Sequence, residues 1–406
     1  MHILYLHQYF ATPHGKTGTR SYEFARRWVA QGHRVTMVTS AAQLTPEDLG
    51  GAPRKLTSRI NVEGIEVIAL NLRYRQAMGF VRRVIAFMGF MFLSSWAALR
   101  VRSVDVVFAT STPLTIGVPA LLVRWLRRRP YVFEVRDVWP AAPIAMGALR
   151  NRLLIAFLRR LERIIYRNAR AVVTLSPGME ADVRKSAPPD KRLVMVPNSS
   201  DPDLFRPDLD GETLRRERGW GDRCVCIYTG ALGPANGVDI LLRAAQHFRD
   251  DPDLLFVVLG EGSEKKKLIA QRDQLGLDNL YIAGGVPKHQ LSTLIAAADI
   301  GLVLFAPIPI LEDNSANKFF DYLSAGKPVL LNYGGWQREV IESAQTGLGC
   351  KMGDEQAFFA NLANLKRDKD RRDRMGQHAR RLALERFNRD VLARQVLDVI
   401  VDAYRC

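Results

Sequence analysis

Short apolar runs alternate with longer amphipathic ones along almost the whole chain. HILYLHQ (2–8), RVTMVTS (34–40), VDVVFATST (104–112), YVFEVRD (131–137), AVVTLSP (171–177) and LVMVPNSS (193–200) form a first set. CVCIYTGAL (224–232), LLFVVLGEG (254–262), LYIAGG (280–285), IGLVLF (300–305) and PVLLNYGG (328–335) form a second. Strand-like runs separated by helical periodicity predict parallel sheets covered by helices. The Asp- and Pro-rich NSSDPDLFRPDLDG (198–211) reads as the linker between the sets. The pattern therefore predicts two doubly wound α/β domains, 1–200 and 201–383, with a helix at 384–406 returning to the first. Ligands of such sheets lie outside the carboxyl ends of the strands, so two domains facing each other would form a cleft.

Composition narrows the partners. A chain of 406 residues, 47% hydrophobic and 25% charged, is an ordinary globular protein of more than one domain. Its 58 Lys and Arg against 42 Asp and Glu leave +16, which favours an anionic partner: nucleic acid, a phosphorylated substrate or acidic lipid. Cys224, Cys226, Cys350 and Cys406 lack metal-ligand spacing and read as reduced thiols. MHILYLHQYF lacks the basic start and cleavage signal of a secretory peptide, which predicts a cytoplasmic location.

Candidate chemistry sits in the loops after the strands. In ATPHGKTGTRSYEFA, Gly15 and Gly18 precede a helix whose N-terminus can meet an anion. The spacing is neither GxGxxG nor Walker A, and the second strand ends in Thr39-Ser40, not in a ribose-binding acid, which argues against a dinucleotide oxidoreductase. YVFEVRD places Arg136 and Asp137 at a sheet edge, as a base or acceptor-binding carboxylate or as part of a salt bridge. TGALGPANGVD leaves the backbone open at Gly230 and Gly233 and offers Asn236, and LGEGSEKKKL offers Gly262 and Lys265 to Lys267. The three lysines read first as a solvated helix face, with Lys266 able to reach a phosphate.

In LEDNSANKFFDYLSAGKPV (311–329), Ser315 is suited to cap a helix ending near Gly326. Ala316, Phe319, Phe320 and Leu323 keep core spacing, which leaves Asn317, Lys318 and Asp321 on the open face. Lys318 stands nearer the N-terminus than Asp321, against the helix dipole, an order that suits an incoming anion. Backbone N–H groups of residues 316–318 and the Lys318 ammonium would then meet a diphosphate, with Asp313 and Asp321 accepting from sugar and ribose hydroxyls.

These stretches, with EVRDVWP and VPNSSDPDLF, give the chain a resemblance over nearly its full length to retaining family 4 glycosyltransferases of the GT-B fold. Within that family it looks most like bacterial L-fucosamine transferase-type enzymes of surface-polysaccharide synthesis. The family pattern of two glutamates eight residues apart is met here by Asp313 and Asp321. By resemblance, Asp321 binds the ribose and Asp313 the donor sugar, and the basic residue often present in the TGALGPANGVD loop is replaced by Asn236. The resemblance implies metal-independent retaining transfer from a UDP-sugar, with an N-acetylated hexosamine as donor sugar and guanosine as the other possible base. The UDP-sugar is a substrate and no cofactor is implied. The acceptor site would lie in the first domain with Asp137, for a polyprenyl-diphosphate-linked or other glycan. A nucleotide-sugar 2-epimerase of the same architecture is the alternative enzyme.

Three basic and apolar segments bear on location: FVRRVIAFMGFMFLSSWAALRVR (80–102), VRWLRRRP (123–130) and RNRLLIAFLRRLERIIYRNAR (150–170). The uncharged stretch 84–99 is shorter than the roughly 20 residues that span a bilayer. Together with +16 overall, they predict peripheral attachment to an anionic membrane on its cytoplasmic face. No aromatic and basic nucleic-acid motif accompanies them, so no nucleic-acid partner is expected.

Overall fold

A computed structural model describes residues 1–15, 18–50, 56–72, 78, 80–199 and 201–405. The chain divides into two units, Met1–Pro197 with the C-terminal segment from Asp390, and Asn198–Arg389. The first unit holds β1 (His2–Leu6), β2 (Arg34–Ser40), β3 (Thr57–Val62), β4 (Ile65–Leu70), β5 (Val106–Thr110), β6 (Tyr131–Val135), β7 (Ala171–Thr174) and β8 (Arg192–Met195). They form one sheet in the order β3-β4-β2-β1-β5-β6-β7-β8, parallel except for β3. The second unit holds β9 (Cys224–Thr229), β10 (Leu254–Leu259), β11 (Leu280–Ala283), β12 (Ile300–Val303), β13 (Val329–Leu331) and β14 (Gly347–Gly349). Their order is β11-β10-β9-β12-β13-β14, all parallel. Both units are Rossmann-like, and the strand order reverses beside β1 in one and β9 in the other, where ligand crevices open.

The apolar runs predicted every strand but β3, β4 and β14. β3 alternates half-buried and exposed residues at the sheet edge, so it lacks the continuous apolar run of a central strand. It joins β4 through Glu63 and Gly64, both at positive φ (48° and 84°). That is the primed two-residue turn, made without the usual Asn-Gly or Asp-Gly signal. β14, of sequence GLG, has too few side chains to show any period.

The boundaries differ from 200 and 383. The first unit ends at Pro197 because Asn198 is tied into the second: its N–H donates to Ser315 Oγ (3.0 Å) and its side-chain amide to the Ser315 carbonyl (2.5 Å). The helix Lys369–Arg386 belongs wholly to the second unit, and Phe387 beyond it is buried in that core. The last helix therefore starts at Arg389, not at 384. Its Ala393, Val396 and Ile400 enter the first core beside Trp28 and Phe108, and Trp28 Nε1 donates to the Ala393 carbonyl (3.0 Å). Cys224, Cys226 and Cys350 are buried free thiols, whereas Cys406 lies outside the described residues.

One buried ion pair organises the carboxyl edge of the first sheet. Arg20, the first residue of the helix Arg20–Ala30, reaches Glu134 Oε1 through Nε (3.1 Å) and Nη2 (2.8 Å). It also donates to the carbonyls of Pro197 (2.6 Å) and Val196 (3.0 Å), while Thr110 donates to the other Glu134 oxygen. The pair thereby joins β5, β6 and the chain leaving β8. Removing one partner of such a pair strands a buried charge. Arg20→Ala should lower unfolding free energy by roughly 3–5 kcal/mol in denaturant titration, and a loss below about 1 kcal/mol, the scale of an exposed pair, would contradict this account.

Candidate functional site

At the carboxyl edge of the second sheet, β9 ends at Thr229, and the helix Asn317–Ser324 is fastened to it by Tyr322. The Thr229 N–H donates to the Tyr322 hydroxyl (3.0 Å), which donates to the Ile227 carbonyl (3.1 Å). The Tyr322 ring lies flat on Gly301 of β12, where a Cβ would come within 2.4 Å of it. Seating this ring carries Lys318, one turn earlier, to the end of β9. There its Nζ stands 3.8 Å from the centroid of the Tyr228 ring.

Gly230 completes the contact. Its φ of 134° favours glycine, and a Cβ would meet Lys318 Cε and Nζ at 3.1 Å. The loops after β9 and β10 touch through bare backbone. A Cβ on Gly260 would fall 1.9 Å from the Gly230 carbonyl, and one on Gly262 would fall 2.2 Å from that of Leu232. Gly233 and Asn236 flank the turn Pro234–Asn236, with the Asn236 N–H bonded to the Gly233 carbonyl (2.9 Å). Gly230, Gly262, Lys318 and their loops are thus gathered at the strand-order reversal.

Lys318 is half-buried and, among the described residues, makes no hydrogen bond or ion pair. Burial pushes its ammonium down to about 7. Asp321 was expected on the open face but is only 4% exposed. Its Oδ1 has no hydrogen-bond donor, and the nearest cation, Lys288 Nζ, stands 3.9 Å away. Burial raises the Asp321 pKa, with Lys288 and Arg389 pulling the other way. The helical wheel misled because it ignores the rest of the unit. Lys288 at the start of the helix Lys288–Ala296, and the Asp201–Arg389 pair, close over the face that an isolated helix would leave open.

Ser315 is not the helix cap. Ala316 holds that position, and its N–H is taken by Asn314 Oδ1 (3.1 Å) while Ser315 serves Asn198. Two N–H groups, those of Asn317 and Lys318, remain at the helix start in place of the expected three. Asp313 ends the turn Pro309–Asp313 and is half-buried. Its neighbour Glu312 accepts from the Gly334 N–H (3.1 Å), which fixes the turn against the loop after β13. Lys266 is exposed on the helix Lys265–Leu275, and among the described residues no hydrogen bond or ion pair joins it to the Lys318 group, while Lys265 is held by Glu261 (2.9 Å). No described cluster of three His, Cys, Asp or Glu is placed to hold a metal.

The first unit gathers a second group at its own carboxyl edge. Asp137 is exposed after β6 and accepts from the Thr112 hydroxyl. Arg136 donates to His7 Nε2 (3.3 Å), not to a carboxylate. Since guanidinium only donates, His7 keeps its proton on Nδ1 and gives it to Ser21 Oγ (2.7 Å). Burial and Arg136 hold His7 well below its ordinary pKa, hence neutral. Gly18 stands two residues before the helix that starts at Arg20, whose side chain is turned to Glu134. Sequence reading missed His7 and Lys288, although each follows a strand-like run, at the end of HILYLH and after LYIAGG.

The three arginine-rich segments form neighbouring helices, Phe80–Arg100, Gly117–Arg127 and Arg152–Asn168, with the middle one packed against both others. Their inner faces fill the first core through Phe90, Leu121 and Ile165. Outward they expose Ile85, Phe92 (65%), Trp96, Trp125, Leu126, Leu153 (83%) and Phe157. Among the described residues, no helix is long and apolar enough to cross a membrane.

Residues 17–199 match the glycosyl transferase 4-like domain family, and residues 210–382 match the glycosyl transferases group 1 family. The probable glycosyltransferase WbjE of Pseudomonas aeruginosa is 24% identical over 270 residues, 64% of this chain and 65% of that protein. The GDP-mannose-dependent alpha-(1-6)-phosphatidylinositol monomannoside mannosyltransferase of Mycobacterium tuberculosis is 26% identical over 333 residues, 75% of this chain and 85% of its own. Anabaena Alr3699/HepE, solved in complex with UDP, shares the fold at a TM-score of 0.72 and 18% identity, over 99% of this chain and 100% of that one. With a 4-like domain, a group 1 domain and two Rossmann-like sheets, the chain belongs to the glycosyltransferases of the GT-B fold.

Proposed function

We propose that this glycosyltransferase moves a sugar from a UDP-sugar, with retention and without a metal, to a lipid-linked glycan of a bacterial surface polysaccharide. The observation that carries the donor site is the pair Lys318 and Asp321, an ammonium without an anion and a buried carboxylate oxygen without a donor, one turn apart on one helix. A nucleoside diphosphate supplies what each lacks. Its phosphates meet Lys318 and the N–H groups of Asn317 and Lys318, and ribose hydroxyls donate to Asp321. Gly230 makes room for the Lys318 side chain and Gly262 for the Leu232 carbonyl, which shapes the loops around that point, and Asp313 accepts from the donor sugar. As the glycosidic bond to phosphate breaks, negative charge grows on the departing diphosphate, where fixed cations and dipoles act most strongly. The leaving phosphate then takes the acceptor's proton on the same face. Asp137 in the first unit holds the acceptor.

The solved relative bound to UDP supports uridine, while the mycobacterial relative is named for GDP-mannose, so the direct comparison is a titration with UDP and GDP. UDP is expected to bind more tightly, and equal or stronger GDP binding would reassign the base. Incubation with UDP-sugars should give transfer to an acceptor, whereas an epimerised free sugar would replace the proposal with the alternative enzyme. Asp321→Ala should weaken UDP binding by roughly 1.5–3 kcal/mol, the worth of hydrogen bonds to a charged group.

Lys318 adds a pH signature. Its folded pKa of about 7 lies below the unfolded lysine value of about 10.4. Between the two the unfolded chain holds a proton that the folded chain has released. Stability from this residue therefore rises with pH through that window and is lost below it. A bound diphosphate favours the ammonium, so UDP binding should take up a proton. Affinity should fall as pH climbs above about 7, by at most about tenfold per unit. Calorimetry in buffers of different ionisation enthalpy measures the proton, and Lys318→Met should abolish the uptake. An unchanged uptake in that variant would remove Lys318 from the diphosphate site.

The membrane reading rests on the three-helix face of the first unit. Trp96 with Arg100 stacked 4.0 Å over it, and Leu153 and Phe157 beside Arg152, Arg159 and Arg160, place apolar groups among cations. Such a face suits an anionic leaflet on the cytoplasmic side, at about 1 kcal/mol per cation near the surface. The protein should pellet with anionic vesicles, more weakly at high salt, and Leu153→Ser with Phe157→Ser should reduce pelleting that salt leaves intact. Absence from the pellet at low salt would favour a soluble acceptor.

A further inference from the structure

We propose that the second unit carries another ligand site, for a small organic phosphate, at the edge strand β14. A cavity of about 400 Å³ opens there. Its lining includes Gln345 and Gly347 at the amino end of β14, whereas Lys318 and Gly230 stand at the carboxyl ends of the strands. The opposite wall comes from the helix Lys369–Arg386, which turns Arg371, Arg374 and His378 into the cavity at spacings of three and four residues, one helical face.

The charges in the cavity are unanswered. Lys369 of that helix pairs with Asp373 (2.6 Å), Arg372 donates to the Leu365 and Lys366 carbonyls (2.6 Å each), and Arg380 donates to the Ser324 carbonyl (2.8 Å). Arg371, Arg374 and His378 make no side-chain hydrogen bond or ion pair among the described residues. The one carboxylate in the lining, Glu342, is paired through Oε1 with Arg338 (2.8 Å) and the Gly349 N–H (3.2 Å). Two guanidinium forks match the oxygens of a phosphate and offer paired donors to it. Leu348 and the buried Met375 give the cavity an apolar floor, and its volume exceeds what inorganic phosphate fills. The occupant that fits is therefore a phosphomonoester with an organic body.

The helix bearing these cations also touches the donor helix. A Cβ on Gly376 would come within 2.3 Å of the Gly326 carbonyl, and Arg380 holds the carbonyl of Ser324, the last residue of the helix Asn317–Ser324. An occupant gripping Arg371 and Arg374 would thus act on the element that carries Lys318.

Titration of the full chain with ribose 5-phosphate, followed by phosphorus NMR, tests the site with and without saturating UDP. Ribose 5-phosphate should bind in both conditions and more tightly than inorganic phosphate. Arg371→Gln with Arg374→Gln should weaken it by about tenfold or more, as loss of charge-assisted bonds requires, while UDP affinity and melting temperature stay as in the parent chain. His378→Asn should weaken it less and serves if the double variant does not fold. Competition by UDP would assign the signal to the donor site and overturn the proposal. So would binding that the arginine variants leave unchanged, binding no tighter than that of inorganic phosphate, or no binding at all.

Discussion

The carboxyl edge of the second sheet is arranged around an ammonium that has no anion. Lys318 lies against the Tyr228 ring and the Gly230 backbone, an aromatic face being the weaker substitute for a carboxylate. Keeping it there requires the Tyr322 anchor to β9, the bare Gly301 beneath that ring, and a glycine at 230. Burying a lysine without a partner costs free energy, and a larger residue at 230 would have pushed it back toward solvent.

The first unit solves the same electrostatic problem in the opposite way. Arg20 is fully answered by Glu134 and two carbonyls, and Glu134 by Thr110. That network is closed, so it holds strands and has nothing left to offer a ligand. Lys318 and Asp321 are open, each with capacity unused. Burial is common to both networks; satisfaction separates the closed one from the open one, and the proposed donor site draws on the open one. The same contrast divides the helix Lys369–Arg386, where Arg380 and Arg372 are engaged and Arg371 and Arg374 are not.

The two sheets were legible because strands buried on both faces write themselves as unbroken apolar runs. β3 and β14 were not, since an edge strand is half polar and GLG has no side-chain pattern, and β4 was passed over although IEVIAL is apolar apart from Glu66. Among the candidate residues, Gly230, Lys318 and Asp321 were singled out from loop position and helical spacing, but their surroundings were not legible. Spacing on one helix says which residues share a face, and it is silent on whether Lys288 or the chain near Asp201 will cover that face. Ser315 shows the same limit. A serine before a helix is a good cap, yet Asn198, distant in sequence, took its hydroxyl, and Asn314 took over at the helix start. Lys266 is exposed, as the first reading of the three lysines, a solvated helix face, expected.

The orientation of the helix Asn317–Ser324 completes the electrostatic account. A helix N-terminus carries about half a positive charge, so the Lys318 ammonium in the first turn is repelled by its own helix as well as desolvated. Asp321, one turn on, lies too far along to neutralise the first turn and is itself held away from water. Reversing the two residues would relieve both strains at once. The chain keeps the costly order, which puts two positive sources, dipole and ammonium, in the first turn with a carboxylate one turn on. An anion there lowers the energy of both sources together, and a group carrying hydroxyls next to its phosphates reaches the carboxylate as well. On the proposed reading a nucleoside diphosphate would offset both costs, so the order of residues along this one turn is what that proposal explains.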